Sequence, residues 1–247
     1  MRGAVVVTAS AGSFPGLAEA LRAIPAAVEE LPLMTFAPPL DWAPVDAALA
    51  DLGRFDAVAF TSPRSAGALA ARVGALGVAI PAGTAIWAAG AGTTQALGAG
   101  LGPVRQPDER AVGERGAAAA LAQALLADGV RGPVLFPCGD IRRDELPARL
   151  RQDGVRVEEI VCYRSVLASE SAARRAADRA RLLVVASPSV AELLARACAT
   201  DARPALLAVG PTTAAAARAT GWAPAGVAAR PTTDALVAAV RALLAAR

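Results

Sequence analysis

No histidine and no lysine occur in this chain of 247 residues, so all 25 basic residues are arginine. Without histidine there is no histidine triad, no imidazole metal ligand and no imidazole general base. Without lysine there is no Schiff base and no phosphate-loop lysine. Chemistry must rest on hydroxyls, carboxylates, arginine, cysteine or backbone. Aromatic residues make up 4% of the chain, a poor endowment for stacking single-stranded nucleic acid. Cys138, Cys162 and Cys198 are far apart and make no metal-site spacing. Each lies in an apolar run and is expected as a buried thiol, which points to a reducing, cytoplasmic compartment. The start of the chain lacks the pattern of a signal peptide. The longest uncharged stretch, Gly74 to Val104, is interrupted by glycines and by turn signals at Pro81 and Gly83, so no membrane span is expected.

What is present is a large apolar fraction, 55% against 19% charged, which fills a core and argues against disorder. The net charge is +3, carried by residues whose planar fork suits carboxylates and phosphates. An acidic ligand is expected. No block of like charge supports a nucleic-acid surface, since acidic residues stand close to both Arg142-Arg143 and Arg174-Arg175.

The chain also contains itself twice, out of order. Val5-Val6-Val7, Leu21-Arg22 and Val28-Glu29-Glu30-Leu31 return as Val134-Leu135-Phe136, Leu150-Arg151 and Val157-Glu158-Glu159-Ile160, each offset by 129. Ser62-Pro63, then Gly90 with Thr93-Thr94, return as Ser187-Pro188, then Gly210 with Thr212-Thr213. Two similar lobes explain this, and two lobes imply a cleft, the usual place for a ligand.

β-Branched runs alternate with alanine-rich helical stretches, the mark of βα units and parallel sheets. Strands are expected at 4–8, 27–33, 56–61, 84–89, 133–137, 155–161, 181–186, 205–209 and 225–229. Helices are expected at 14–23, 44–52, 63–74, 93–100, 113–127, 142–152, 169–179, 188–198, 212–220 and 233–245. Ser62 and Ser187 are expected helix caps, each followed by proline, and Thr233 with Asp234 opens the last helix. Hinges near 32–44 and 161–168 make one lobe an insertion. The fold class is α/β: two Rossmann-like lobes with parallel sheets, 1–35 plus 167–247 and the inserted 38–163. Two strands running side by side join them, with a cleft between. Bending at Ala37–Leu40 and Arg164–Ala168 is expected to close it.

Phe60-Thr61-Ser62-Pro63, the turn Gly90-Ala91-Gly92-Thr93 and the run Val134 to Gly139 are followed by arginines, Leu146, Leu150, Gly154 and Val157. Tyr163, Ser187-Pro188-Ser189, Val209-Gly210-Pro211-Thr212-Thr213 and Gly221 complete the order. In this order and spacing the chain resembles the uroporphyrinogen-III synthase family. The arginine that the family often carries after the first strand's threonine is missing, since Ala9-Ser10 follow Thr8. The resemblance implies a cofactor-free, metal-free lyase of tetrapyrrole (heme) biosynthesis. Its substrate is hydroxymethylbilane, a linear tetrapyrrole polycarboxylate, closed with loss of water and inversion of the last pyrrole ring. It also implies two Rossmann-like lobes joined by a two-stranded ladder. The expected partners are that substrate and the upstream enzyme that forms it, with no nucleic acid and no membrane, and the expected state is a monomer.

The residues make chemical sense of this. Helix N-termini bind carboxylates through their unpaired N–H groups. Ser62, Ser65, Thr93, Thr94, Ser187, Ser189, Thr212 and Thr213 fall at expected strand-to-helix turns, which line the ligand crevice of open α/β sheets. Gly139 and Gly210 belong to the matching turns. Arg64, Arg142 and Arg143 can clamp carboxylates. Tyr163 is the only tyrosine and is the candidate proton donor to the leaving hydroxyl. Each serine or threonine also reads as a plain cap, Tyr163 as an edge-strand packing residue, and Trp42, Trp87 and Trp222 as packing. A two-lobed binding protein or sensor for an acidic small molecule stays open as an alternative. A glycosyltransferase is disfavoured because no acidic residue marks a strand end. A dinucleotide fold is disfavoured because Gln95 replaces the third glycine of Gly90-Ala91-Gly92.

Overall fold

A computed structural model describes residues 3–142 and 144–245. The chain divides into two compact units, Met1–Thr35 with Val166–Arg247, and Phe36–Ser165.

The first unit is built on a sheet of five parallel strands. These are β1 (Ala4–Val7), β2 (Val28–Glu30), β9 (Ala180–Val185), β10 (Ala205–Ala208) and β11 (Gly226–Val227), in the order β11-β10-β9-β1-β2. Every residue of β1 is buried, as a central parallel strand covered on both faces requires. Helices α8 (Glu170–Arg179), α9 (Pro188–Ala197) and α10 (Pro211–Ala219) cover one face, and α1 (Leu17–Arg22) and α11 (Thr233–Ala245) the other.

The second unit contains β4 (Ala57–Phe60), β5 (Ala85–Ala88), β6 (Val104–Arg105), β7 (Val134–Gly139) and β8 (Val157–Leu167), in the order β8-β7-β4-β5-β6. Its pairs are again parallel. Helices α2 (Ala43–Ala50), α3 (Pro63–Leu76) and α4 (Ala91–Leu97) lie on one face. Helices α6 (Ala117–Ala127) and α7 (Glu145–Gln152) lie on the other. A sixth strand, β3 (Met34–Ala37), lies beside β8 at the sheet edge.

The two five-strand orders are the same under the sequence repeat. β1 corresponds to β7, β2 to β8, and β9, β10 and β11 to β4, β5 and β6. Each sheet reverses its winding once, between β1 and β9 and between β7 and β4. The helices that follow such a pair leave to opposite faces: α7 after β7 packs on one side, α3 after β4 on the other. That reversal opens a crevice at the carboxyl ends of the two strands.

Several expectations are corrected. Strand β6 lies outside the expected strands. Strand β3, in the proline-rich 32–44 stretch, lies beside β8, which runs unbroken through most of 161–168, so these stretches hold the two side-by-side strands expected there rather than open hinges. The helix expected at 113–127 is two helices, α5 (Glu109–Arg115) and α6, parted at Gly116. Gly116 adopts φ 85° and ψ 154°, which a side chain would strain. Ser62 caps α3, its Oγ accepting from Ser65 N at 3.2 Å. Ser187 precedes α9 with extended backbone but makes no side-chain cap. Thr233 opens α11 as expected; the cap hydrogen bond comes from the residue before it, Thr232 Oγ1 accepting from Ala235 N at 3.4 Å, while Thr233 Oγ1 donates to Pro15 O at 3.1 Å. Trp87 and Trp222 are buried and Trp42 packs partly buried against the core.

Candidate active site

The crevice between β4 and β7 holds a pocket of about 380 Å³. Thr61 and Ser62 reach it from the end of β4, and Cys138 and Gly139 from the end of β7. Gly116, Ala117 and Ala118 bring the start of α6, Arg142 comes from the β7–α7 connection and Glu145 from the first residue of α7, and Tyr163 comes from β8. No side chain caps α6, so the first N–H groups of this helix and the positive end of its dipole stand unshielded beside the pocket.

A register irregularity places Tyr163. Along β7 and β8, Pro137 faces Ile160 and Cys138 faces Val161, but Gly139 faces Tyr163, so Cys162 is the extra residue of a bulge. Bulges re-aim side chains beside functional sites. Here the tyrosine ring is laid directly over Gly139. A Cβ on Gly139 would stand 2.5 Å from Tyr163 Cζ and 2.8 Å from its hydroxyl oxygen, so the ring position requires glycine. The ring is braced from another side by Phe36, edge-on at 5.7 Å. Arg64, on the first turn of α3, places its guanidinium 3.4 Å from the Phe36 ring centroid and 5.9 Å from that of Tyr163. The residue remains exposed at its outer edge, yet desolvation at the rings lowers its pKa, opposed by the nearby Tyr163.

Arg142 donates through Nε to Glu159 Oε2, and Arg151 donates through Nη2 to Glu159 Oε1 at 2.6 Å. Burial works against the Glu159 charge, but the two arginine hydrogen bonds more than offset it and its pKa falls. The same bond raises the pKa of Arg142. All three cysteines are free and buried. Desolvation pushes the Cys138 thiol up to about 11 and Cys162 to about 12, which keeps both protonated and poor nucleophiles. Among the described residues no cluster of acidic and sulfur side chains is able to hold a metal ion.

Of the residues singled out from the sequence, Ser62, Ser65, Gly139, Arg142 and Tyr163 line this one pocket. Ser65 is buried, and its hydroxyl donates to Ser62 O at 3.1 Å, so both serines also serve the α3 start. Arg64 stacks beside the pocket without lining it. Thr93 is buried at the start of α4, and Thr94 Oγ1 donates to Gly90 O at 3.4 Å. Ser187 and Ser189 lie at the start of α9, and Gly210, Thr212 and Thr213 at the start of α10, all in the first unit. Thr213 is buried and Thr212 exposed. Arg143 lies outside the described residues.

Gly116–Ala118 and Glu145 also line the pocket without a signal in the sequence, and Thr61 and Cys138, noted there only within a motif and as a buried thiol, line it too. An acidic strand end was missed too: Asp140 directly follows β7. Its Oδ1 accepts from Ile141 N at 2.9 Å and Ser165 N at 2.8 Å, so it ties the connection to β8. Thr8, which no arginine follows in this chain, is buried and donates to Val184 O at 2.9 Å.

Two doubly wound units, one bearing a polar pocket with a tyrosine, an arginine and a helix N-terminus at its switch point, define a two-unit α/β protein with a pocket where open α/β sheets place their ligands. A family model described as Uroporphyrinogen-III synthase HemD matches residues 16–238, and the chain belongs to the uroporphyrinogen-III synthase family. Among curated protein sequences, none matches it. The crystal structure of uroporphyrinogen-III synthetase from Helicobacter pylori aligns with a TM-score of 0.65 at 18% identity, covering 100% of both chains. That of a mutant uroporphyrinogen III synthase from the extremely thermophilic bacterium Thermus thermophilus aligns at 0.61 with 21% identity, over 99% of this chain and 100% of the other. Both share this fold.

Proposed function

We propose that the β4–β7 pocket holds a carboxylate-bearing part of hydroxymethylbilane while the protein closes it to uroporphyrinogen III. The observation that carries this is the Gly139–Tyr163 contact, which commits the chain's only tyrosine to the pocket wall. The reaction loses water and inverts the last pyrrole ring, and the protein is a hydro-lyase of tetrapyrrole biosynthesis.

The chemistry asks little of the protein beyond placement and one proton. The C–O bond of the hydroxymethyl group breaks, and the pyrrole nitrogen lone pair stabilises the azafulvenium left behind. Tyr163 Oη donates its proton to the departing hydroxide, which leaves as water. The substituted α-carbon of the terminal pyrrole then attacks the methylene of that cation to give a spiro intermediate. The older bond of this α-carbon to the neighbouring bridge methylene breaks to leave a second azafulvenium. The free α-carbon of the now inverted ring attacks that methylene, and the proton this carbon loses on closure returns to the tyrosine oxygen. Substrate carboxylates are met by Arg142 and by the N–H groups at the start of α6. The hydroxyls of Thr61 and Ser62 add neutral donors. A positioned acid contributes about 10²- to 10⁴-fold, so Tyr163→Phe is expected to lower turnover about 100-fold with KM little changed.

The test is a coupled assay in which hydroxymethylbilane is generated in place and the oxidised porphyrins are separated by isomer. Type III product supports the reading. Type I alone from folded protein would sink it and promote a binding protein for acidic small molecules. Full turnover by Tyr163→Phe would remove the proton-donor role.

The reading extends to a cytoplasmic monomer that takes its substrate from the enzyme that forms it. Three buried free thiols support a reducing compartment. No helix among the described residues is long and apolar enough to cross a membrane. Sedimentation at micromolar concentration tests the monomer.

A further inference from the structure

Glu159 is a half-buried carboxylate for which the proton-transfer scheme has no use. It sits on β8, four residues before Tyr163, and does not line the pocket. Its side chain is 14% exposed and receives Arg142 on one oxygen and Arg151 on the other. Bonded through Nε, Arg142 keeps both terminal nitrogens for other partners, and no further hydrogen bond from it is found among the described residues.

The repeat shows that this arrangement is not a requirement of the fold. The counterpart of Glu159 is Glu30, of Arg151 is Arg22, and of Arg142 is Ser13. Glu30 is exposed and pairs with no arginine among the described residues. The neighbouring glutamates, by contrast, pair alike in both units, Glu158 with Arg54 and Glu29 with Arg179. Of the two adjacent glutamates on this strand, the units therefore differ in the pairing of one, and that one touches a pocket arginine.

We infer that Glu159 is a positioning residue that fixes Arg142 at the pocket rim, so that a substrate carboxylate meets a guanidinium already oriented to receive it. This rests on the pocket assignment proposed above. Immobilising a long side chain on binding costs enough to weaken affinity about threefold to tenfold. With Glu159 in place that ordering is present before the ligand arrives. A purely electrostatic role predicts the opposite sign, because removing a negative charge beside an anion site tightens it.

The experiment is a double-mutant cycle on steady-state turnover of hydroxymethylbilane, with equilibrium binding of uroporphyrin III by fluorescence as a second readout. Glu159→Gln is expected to raise KM and the porphyrin Kd about threefold to tenfold, with kcat within twofold. Arg142→Gln raises them at least as much, and the double variant is no worse than Arg142→Gln alone. Glu30→Gln leaves both constants unchanged. Glu159→Asp, which keeps the charge with a shorter reach, falls between wild type and Glu159→Gln, and serves in the cycle if Glu159→Gln does not fold. An unchanged or lower KM in Glu159→Gln overturns the inference, as does a loss that persists in full on top of Arg142→Gln. If Arg142→Gln itself leaves KM and Kd unchanged, the pocket assignment fails. If Arg142→Gln raises them and Glu159→Gln does not, only the positioning role fails.

Discussion

At the end of the first strand of its repeat, one unit has Ser10 and Met34 where the other has Gly139 and Tyr163. In the first unit Ser10 Oγ donates to Met34 O at 2.7 Å, and the strand end is closed by a hydrogen bond. In the second, Gly139 leaves that space to an aromatic ring, a bulge turns the ring into it, and a pocket stands beside it. The sheet order, the buried strand residues and the leucines at 21 and 150 are common to both. The framework is thus tolerant of what stands at its switch point. Specialisation needs only a smaller residue on one strand and a larger one on its neighbour.

The largest effect should come from refilling that space. Gly139→Ala puts a methyl group where the Tyr163 ring lies, and a displacement of about 1 Å at a reacting group costs about 100-fold in rate. The overpacking itself costs about 1–3 kcal/mol. Ser10→Ala, at the equivalent place, loses one part-buried hydrogen bond worth about 1 kcal/mol and is expected to leave the rate within a few-fold. Rates of type III porphyrin formation, with urea midpoints alongside, measure both. Equal losses of activity in the two variants would erase the distinction between the units.

Much of this frame was legible before the structure. The offset of 129 and the alternation of β-branched and alanine-rich runs gave nine strands near their observed places, because buried parallel strands are continuous apolar runs and helix starts carry hydroxyls and prolines. What escaped has physical reasons. Strand β6 is two residues long and carries no period, and β3, set among prolines, was legible only as one of two joining strands and not by its own bounds. Gly116 parts two helices by a backbone angle that leaves no hydrophobic trace, since alanines continue on its far side. The bulge after Cys138 is a register event between strands, and no single segment encodes it. Grouping Ser62, Gly139, Arg142 and Tyr163 at one pocket depended on it. Conversely, hydroxyls spread evenly over both units look alike in sequence, and geometry separates those at the pocket from those that only begin helices.

The two helix starts after β4 and β9 sharpen the comparison at a smaller scale. Both are Ser-Pro, yet only the Ser62 hydroxyl accepts a cap hydrogen bond, from Ser65 N. Ser62→Ala should therefore cost about 1 kcal/mol, and Ser187→Ala less than about 0.5 kcal/mol. Equilibrium urea unfolding resolves that gap. Matching costs would show that Ser187 caps in solution and that the units are alike here too.

The smallest effect concerns what the units share. Arg54 bonds Glu158 at 2.6 Å and Arg179 bonds Glu29 at 2.9 Å, each arginine standing just before the strand that neighbours the switch. Their side chains are 41% and 40% exposed in the first pair and 59% and 36% in the second. Exposed pairs of this kind couple by about 0.2–1 kcal/mol, because water screens the attraction and ordering two long side chains opposes it. Double-mutant cycles on stability should give both pairs coupling in that range, falling towards zero in about 1 M salt, where the screening length is about 3 Å. The single variant Arg54→Ala should cost more than its coupling energy, because its guanidinium also lies 4.2 Å from the Phe55 ring centroid. Coupling above about 1 kcal/mol in one pair only would mean that this repeated contact, like the Gly139 position, has diverged; similar small values would place it with the strand order, as framework that both units keep whatever their switch points do.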